Sequence, residues 1–288
     1  MRSAACIIKI SFTALAFCLI GVLSAQAQRV MVLAPDTTDA SRDFAWDLEQ
    51  ELIDKVQIQD FDIGKAVLKA SPPENVFNMT KAEAQRFGSA IGSAYFLLIK
   101  SSTVRRSSSQ RPEYYEAAAA IYLVSSRSGR LIMWKLERYE ASKEKDAARQ
   151  LKKAIPQLAK GLIAKMKTAE TAELGESDPP AMEEADAAAA ENKSFRAPIP
   201  YRRLKPEYTE TAAFYDVAAT VEMLVDLDAK GDIMRTEIVR WAGYGLDESV
   251  EKAVRSMNWR PAERNGKPLP MRFLLRYNFK KLPKDTDK

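Results

Sequence analysis

An acidic, alanine-rich stretch at residues 168–193 most constrains how this chain folds, because it divides the sequence into two parts. The stretch contains the turn signal Asp178-Pro179-Pro180 and a run of alanines, and it has few large apolar side chains to bury. A flexible chain of about 25 residues reaches roughly 25 to 30 Å. The sequence therefore predicts two folded domains joined by a short acidic linker, residues 168–195.

The first 27 residues have the pattern of an export signal. Arg2 supplies a positive n-region, residues 10–23 supply an apolar stretch, and Ala25-Gln26-Ala27 is a small-x-small cleavage motif. The alternative is an uncleaved signal anchor, since residues 4–23 have about the 20-residue length that spans a bilayer, although Lys9 interrupts them. We expect a periplasmic protein; the alternative is an inner-membrane anchored protein facing the periplasm, which alone would contact the membrane.

The composition argues against catalysis. The 288 residues include no histidine, and both cysteines, Cys6 and Cys18, lie in the export segment. The commonest general base, metal ligand and thiol nucleophile are therefore missing from the exported chain. We expect no enzyme and no catalytic, cofactor-binding or metal site. The net charge is +5, but the sequence has no basic patch with interleaved aromatic residues. We therefore expect no nucleic-acid partner.

Residues 28–167 are predicted to form an α/β domain with a mixed sheet and helices. The run Val30-Met31-Val32-Leu33 indicates a buried first strand, and Tyr95-Phe96-Leu97-Leu98-Ile99 indicates a strand covered on both faces. Residues 117–124 and 131–136 are strand candidates that flank a glycine-containing loop, and together they predict a hairpin. Thr80 and Glu83 form a capping box, and a long terminal helix is expected to kink at Pro156.

This order of elements resembles the periplasmic α/β domains of the CsgG family and the amino-terminal domain of TolB. The first strand with Ala34-Pro35, residues 88–96 leading into the middle strand, and the hairpin at residues 122–131 carry the resemblance. The resemblance implies a protein-contact module of the cell envelope.

Residues 196–282 predict a second domain of ββαβ architecture, followed by a tail at residues 283–288, so the whole chain is classed as α+β. Its first strand alternates at residues 221–227, and Gly231 supplies a positive φ in the following turn. Asp247 is expected to cap the next helix through the amides of the helix's first turn. Asn265-Gly266 makes a second turn, and residues 271–279 form the last strand.

This second domain resembles the C-terminal domain of the TonB family of energy transducers. The motifs that carry the resemblance are Pro206-x-Tyr208, the turn that ends at Gly231, Leu246-Asp247, Trp259-Arg260-Pro261-Ala262, Asn265-Gly266-Lys267-Pro268 and Phe279. The sequence departs from the family at Thr209, where the family has proline, and within Ala218-Ala219-Thr220, where it has glycine. The resemblance implies that a short extended peptide of an outer-membrane transporter adds to the edge of the last strand.

Strand addition works because unpaired amides and carbonyls at a sheet edge accept a new strand. We expect Arg272 and Arg276 to attract acidic peptides; alternatively, they only protect the edge from aggregation. We also expect Leu275→Pro to abolish binding and Arg272→Ala to weaken it. The predicted partner-binding strand consists of Met271, Arg272, Phe273, Leu274, Leu275, Arg276, Tyr277, Asn278 and Phe279.

Two functions follow from these features. The resemblance implies a TonB-like cell-envelope protein in energy-coupled transmembrane transport, with envelope proteins such as an outer-membrane transporter as partners. Transducers of this kind cross the periplasm on a long, stiff, proline-rich segment, and here a folded domain and a short linker take its place. The alternative is a soluble periplasmic adaptor or assembly factor without energy transduction.

Overall fold

In a computed structural model, the described part of the chain comprises residues 28–177, 180–184 and 194–281. The predicted export signal and the tail from residue 283 onward lie outside the described residues. Within the three described ranges, no helix combines the length and the apolarity needed to cross a membrane.

A mixed five-stranded sheet forms the core of the N-terminal unit, as predicted. Its order is β2-β1-β3-β4-β5, with β1 parallel to both β2 and β3 and the remaining neighbours antiparallel. The strands of the predicted hairpin are longer than the sequence indicated, because their pairing continues beyond the apolar residues. The strands are β1 (Arg29–Leu33), β2 (Gln57–Ile58), β3 (Tyr95–Arg106), β4 (Tyr114–Ser125) and β5 (Leu131–Ala141).

Helices cover both faces of this sheet. One face packs against α1 (Asp39–Leu52), α4 (Glu144–Lys153) and α5 (Ile155–Gly175), and the other packs against α2 (Phe61–Ala70) and α3 (Lys81–Ile91). The predicted capping box of Thr80 and Glu83 opens α3. Pro156 stands in the first turn of α5, so the expected kinked helix is two helices that meet at Ala154. Helix α5 runs on to Gly175, so the segment expected to be linker begins as helix.

The C-terminal unit contains the predicted ββαβ arrangement. Strands β8 (Ala219–Leu227) and β9 (Ile233–Arg240), helix α7 (Leu246–Arg255) and strand β13 (Met271–Phe279) build a sheet of order β13-β8-β9 with the helix on one face. Shorter elements complete the unit: β6 (Phe195–Arg196), β7 (Ile199–Pro200), α6 (Glu210–Phe214), β10 (Trp259–Arg260), β11 (Ala262–Arg264) and β12 (Lys267–Leu269). The five short strands form two small antiparallel sheets, β10-β7 and β12-β11-β6.

One hydrophobic core runs through both units. Phe96 and Tyr122 from the five-stranded sheet belong to the same buried cluster as Val221 and Met223 of β8 and Trp241 after β9. The rings of Tyr122 and Trp241 lie 5.8 Å apart, and the Trp241 indole donates to the Gly129 carbonyl at 3.2 Å. No local sequence pattern indicates this contact, because the meeting residues are more than a hundred positions apart.

Asn78 connects the two units through the backbone. Its side chain is buried, donates to the carbonyl oxygens of Thr220 and Trp241 at 2.8 and 2.6 Å, and accepts from the Thr220 amide at 2.9 Å. At the other end of the contact, the Tyr215 hydroxyl lies 3.3 Å from the buried carboxylate of Glu116. Polar bonds therefore fix how the C-terminal unit sits on the first sheet.

Asp247 does not cap α7 in the expected way. Gly245 occupies the cap position, and the Asp247 carboxylate instead accepts from the backbone amides of Ala242 and Gly243, which precede the helix, at 2.9 and 2.7 Å. Positive φ angles at Gly243, Tyr244 and Gly245 fold this loop back over the start of the helix. The prediction of a first-turn cap was therefore wrong, because the loop amides lie closer.

Candidate functional site: the edge strand β13

Strand β13 lies at one end of the C-terminal sheet. It pairs with β8 without interruption, from Met271 opposite Leu227 to Phe279 opposite Ala219. Met271, Phe273 and Phe279 are buried on the inner face, where the ring of Phe273 lies 5.0 Å from that of Trp259. This face anchors the strand, so the opposite face and the outer edge remain for other contacts.

The outer face of the sheet has a ladder of charge pairs. Arg272 donates from Nε and Nη2 to the two carboxylate oxygens of Asp226 at 2.6 and 2.7 Å, and the two side chains are 14% and 7% exposed. Arg276 donates to Glu222 at 2.6 Å, but its own side chain is 60% exposed. Glu222 also accepts from Arg240 at 3.3 Å. Hydrogen bonding to Asp226 raises the pKa of the Arg272 guanidinium, which stays charged.

The backbone of β13 alternates in direction. The Arg272 amide donates outward, to the Glu183 carbonyl at 2.8 Å, and in an antiparallel pair successive residues point alternately toward and away from the neighbouring strand. Since β13 and β8 pair without a bulge, Leu274, Arg276 and Asn278 also point their amides and carbonyls outward. Leu275 points toward β8. The Leu275→Pro change expected to block a partner would therefore remove a bond of the fold itself, and Leu274 is the matching outward position.

A short piece of the linker lies on this edge. Glu184 forms a parallel bridge with Arg272, next to the bond between the Glu183 carbonyl and the Arg272 amide. Arg264 donates to both carboxylate oxygens of Glu183, from Nη1 at 3.2 Å and from Nη2. This hydrogen bonding lowers the pKa of Glu183. Among the residues that the structure describes, no further backbone bond reaches the outer side of β13 beyond Arg272.

The opposite edge of the same sheet, β9, faces the N-terminal unit. Arg240 forms a bridge with Thr80, and the Trp241 amide donates to the Met79 carbonyl at 3.3 Å. Glu237, farther along β9, pairs with Lys81 and with Arg130. A groove of about 520 Å³ separates the rest of β9 from β5. Packing between the units thus covers one end of β9. The end of β13, at Asn278 and Phe279, borders a groove that is also lined by Asn78 of the N-terminal unit.

The nine predicted partner-binding residues all lie in β13. The structure also assigns roles to residues that the sequence reasoning did not single out: Asp226 and Glu222 hold the two arginines, and Arg264 holds Glu183. Acidic residues on β8 and arginines on β13 could have indicated these ion pairs from the sequence. Using that signal requires the register of β8 against β13, which the turn residues alone do not fix.

The C-terminal unit matches a family model described as Gram-negative bacterial TonB protein C-terminal, over residues 205–281. A search of curated proteins found no match. Solved structures similar to the chain include the following three.

The solution structure of the Pseudomonas aeruginosa TonB CTD has 18% identity, covers 33% of this chain and 93% of its own, and has a TM-score of 0.27. The hypothetical protein CT253 of Chlamydia trachomatis has 11% identity, coverages of 48% and 98% and a TM-score of 0.34. Lipoprotein GNA1162 of Neisseria meningitidis has 13% identity, coverages of 46% and 99% and a TM-score of 0.31. The family-model match identifies residues 205–281 as a TonB-family C-terminal domain.

Proposed function

We propose that this protein is a TonB-like component of the cell envelope that binds an extended peptide of a partner by strand addition to β13. The partner is an outer-membrane transporter or another envelope protein, and the binding serves energy-coupled transmembrane transport. The TonB-family domain at residues 205–281 supports this proposal. We also propose export to the periplasm, on the basis of the sequence pattern of residues 1–27.

The observation that carries the proposal is the open outer edge of β13. Leu274 and Arg276 direct their backbone groups outward, and a strand placed there would continue the sheet with a regular ladder. Leu274 is 49% exposed and would contact alternate side chains of the new strand. Arg276, which is 60% exposed, is the arginine better placed to attract an acidic peptide, because Arg272 is held by Asp226.

The alternative function is that of a periplasmic adaptor or assembly factor without energy transduction. The shared core favours it, because a domain packed through Trp241 and Asn78 onto a second folded unit is not free at the end of a stiff span. A mature chain that begins near Gln28 in the soluble periplasm would support the adaptor. An uncleaved N-terminus in the inner-membrane fraction would support the transducer.

The edge can be tested by photo-crosslinking in cells. A photoreactive residue replaces Leu274 on β13 or, as the matched control, Met234 on β9, which is 60% exposed on the same sheet. We expect adducts with an envelope protein from position 274, mapped by mass spectrometry to one extended segment, and few from position 234. Equal adducts from both positions, or none from position 274, would argue against partner binding at this edge.

A further inference from the structure

The contact between the linker and β13 has the form of a bound peptide. Residues 180–183 belong to no helix or strand, and Glu184 pairs with Arg272 in a parallel bridge. The backbone bond between Arg272 and Glu183, at 2.8 Å, has the length expected within a sheet. Part of the chain thus occupies one of the outward positions that a partner strand would use.

Side chains add chemical selectivity to this contact. Arg264 faces both carboxylate oxygens of Glu183, and such a fork prefers a carboxylate over a neutral side chain. Arg264 comes from β11, whose hairpin with β12 leads directly into β13. The position beside the start of β13 is therefore built to receive an acidic residue.

The contact is also limited in strength. It comprises one backbone bond and an ion pair whose side chains are about half exposed, and exposed pairs contribute little. Within residues 28–177, 180–184 and 194–281, no backbone group bonds to the outward groups of Leu274 and Arg276. A strand that paired along the whole edge would form several bonds in place of one.

We propose that residues 180–184 are an internal ligand of the β13 edge, and that an external partner displaces them with an acidic extended peptide in the same parallel orientation. This inference rests on the proposed function of the edge and adds its regulation and the chemistry of the partner. Attachment to the chain raises the effective concentration of the internal ligand, so it competes although each bond is weak.

The pairing can be tested separately from partner binding, on the full chain. Glu183→Lys places a cation beside Arg264, and Glu144→Lys makes the same charge change at an exposed residue of α4, away from β13. Hydrogen exchange at the Arg272 amide should be about tenfold faster in Glu183→Lys, the factor expected for one lost hydrogen bond, and unchanged in Glu144→Lys. Equal exchange in the original chain and Glu183→Lys would overturn the inference.

The second measurement is binding of a synthetic peptide of residues 176–186 to the same three proteins. We expect about tenfold tighter binding by Glu183→Lys than by the original chain or Glu144→Lys, because the internal ligand no longer competes. If Glu183→Lys loses the Arg272 protection but binds no peptide, the internal pairing stands and the proposed partner-binding role of the edge is contradicted. Equal peptide binding by all three proteins would overturn the competition.

Discussion

At the scale of single residues, the carboxyl group of Asp247 is held in an unusual setting. Burial raises its pKa from 3.8 to about 7, although the amides of Gly243 and Ala242 bind the charged form. The nearby charge of Glu248 adds to the rise. Because the pKa is higher in the folded than in the unfolded chain, the folded state binds the proton more tightly. The resulting stabilisation is fully present below about pH 4 and is lost as the pH rises through about 7.

Asp247→Asn should remove this pH dependence. The amide side chain keeps an oxygen that can accept from the same backbone groups and has no proton to lose in this range. We expect the free energy of unfolding to fall between pH 4.5 and 7.5 in the original chain and to change much less in Asp247→Asn, as measured by urea denaturation. Parallel pH curves for the two proteins would contradict the assignment.

At the scale of elements, the two arginines of β13 behave differently. Arg272 neutralises Asp226, which is 7% exposed, whereas Glu222 keeps Arg240 when Arg276 is removed. Removing one member of a buried pair leaves an uncompensated charge. Arg272→Ala was expected to weaken partner binding; the pairing indicates that it also destabilises the fold.

We therefore expect Arg272→Ala to lower the free energy of unfolding by about 3 kcal/mol. Arg276→Ala should lower it by about 1 kcal/mol or less, because its side chain is mostly exposed. Urea denaturation of the two variants provides the comparison, with each variant serving as the control for the other. Equal losses of stability would contradict the expectation that the buried ion pair of Arg272 contributes more to stability than the exposed ion pair of Arg276.

Local patterns predicted the elements better than their contacts. Period-two alternation located β8 and β13, and the residues Thr80 and Glu83 located the start of α3. The role of Asp247 could not be read in the same way, since it depends on a loop that folds back through three successive positive φ angles. The linker contact with β13 depends on one backbone bond and on the ion pair of Arg264 with Glu183, and no local sequence pattern links these distant residues.

At the scale of the whole molecule, the sequence predicts two domains on a linker, and the structure adds a core that both units share. Trp241 follows β9 yet is 1% exposed, because it packs among residues of the first sheet. Neither half of the sequence has a pattern that requires this packing, since each sheet has an apolar face that its own helices could cover. The division of the chain into two folded domains stays a prediction.

Trp241→Ala should weaken the packing between the two units. We expect it to lower the free energy of unfolding by about 3 to 5 kcal/mol, while Trp46→Ala, at a residue that is 61% exposed, costs under about 1 kcal/mol. The original chain should unfold in one transition when followed by circular dichroism and by tryptophan fluorescence. Two separate transitions in the original chain would contradict a shared core.

We propose that the outward backbone of β13 accepts a partner strand. A photoreactive residue at Asn278, an exposed outward position of β13, reports partner binding in cells, and Leu274→Pro is compared with Leu274→Ala, because proline deletes one outward amide and alanine retains it. Circular dichroism first establishes that both variants melt alike. The adduct with the envelope partner should persist in Leu274→Ala and fall at least about tenfold in Leu274→Pro. Equal adduct yields from the two folded variants would contradict strand addition at this edge.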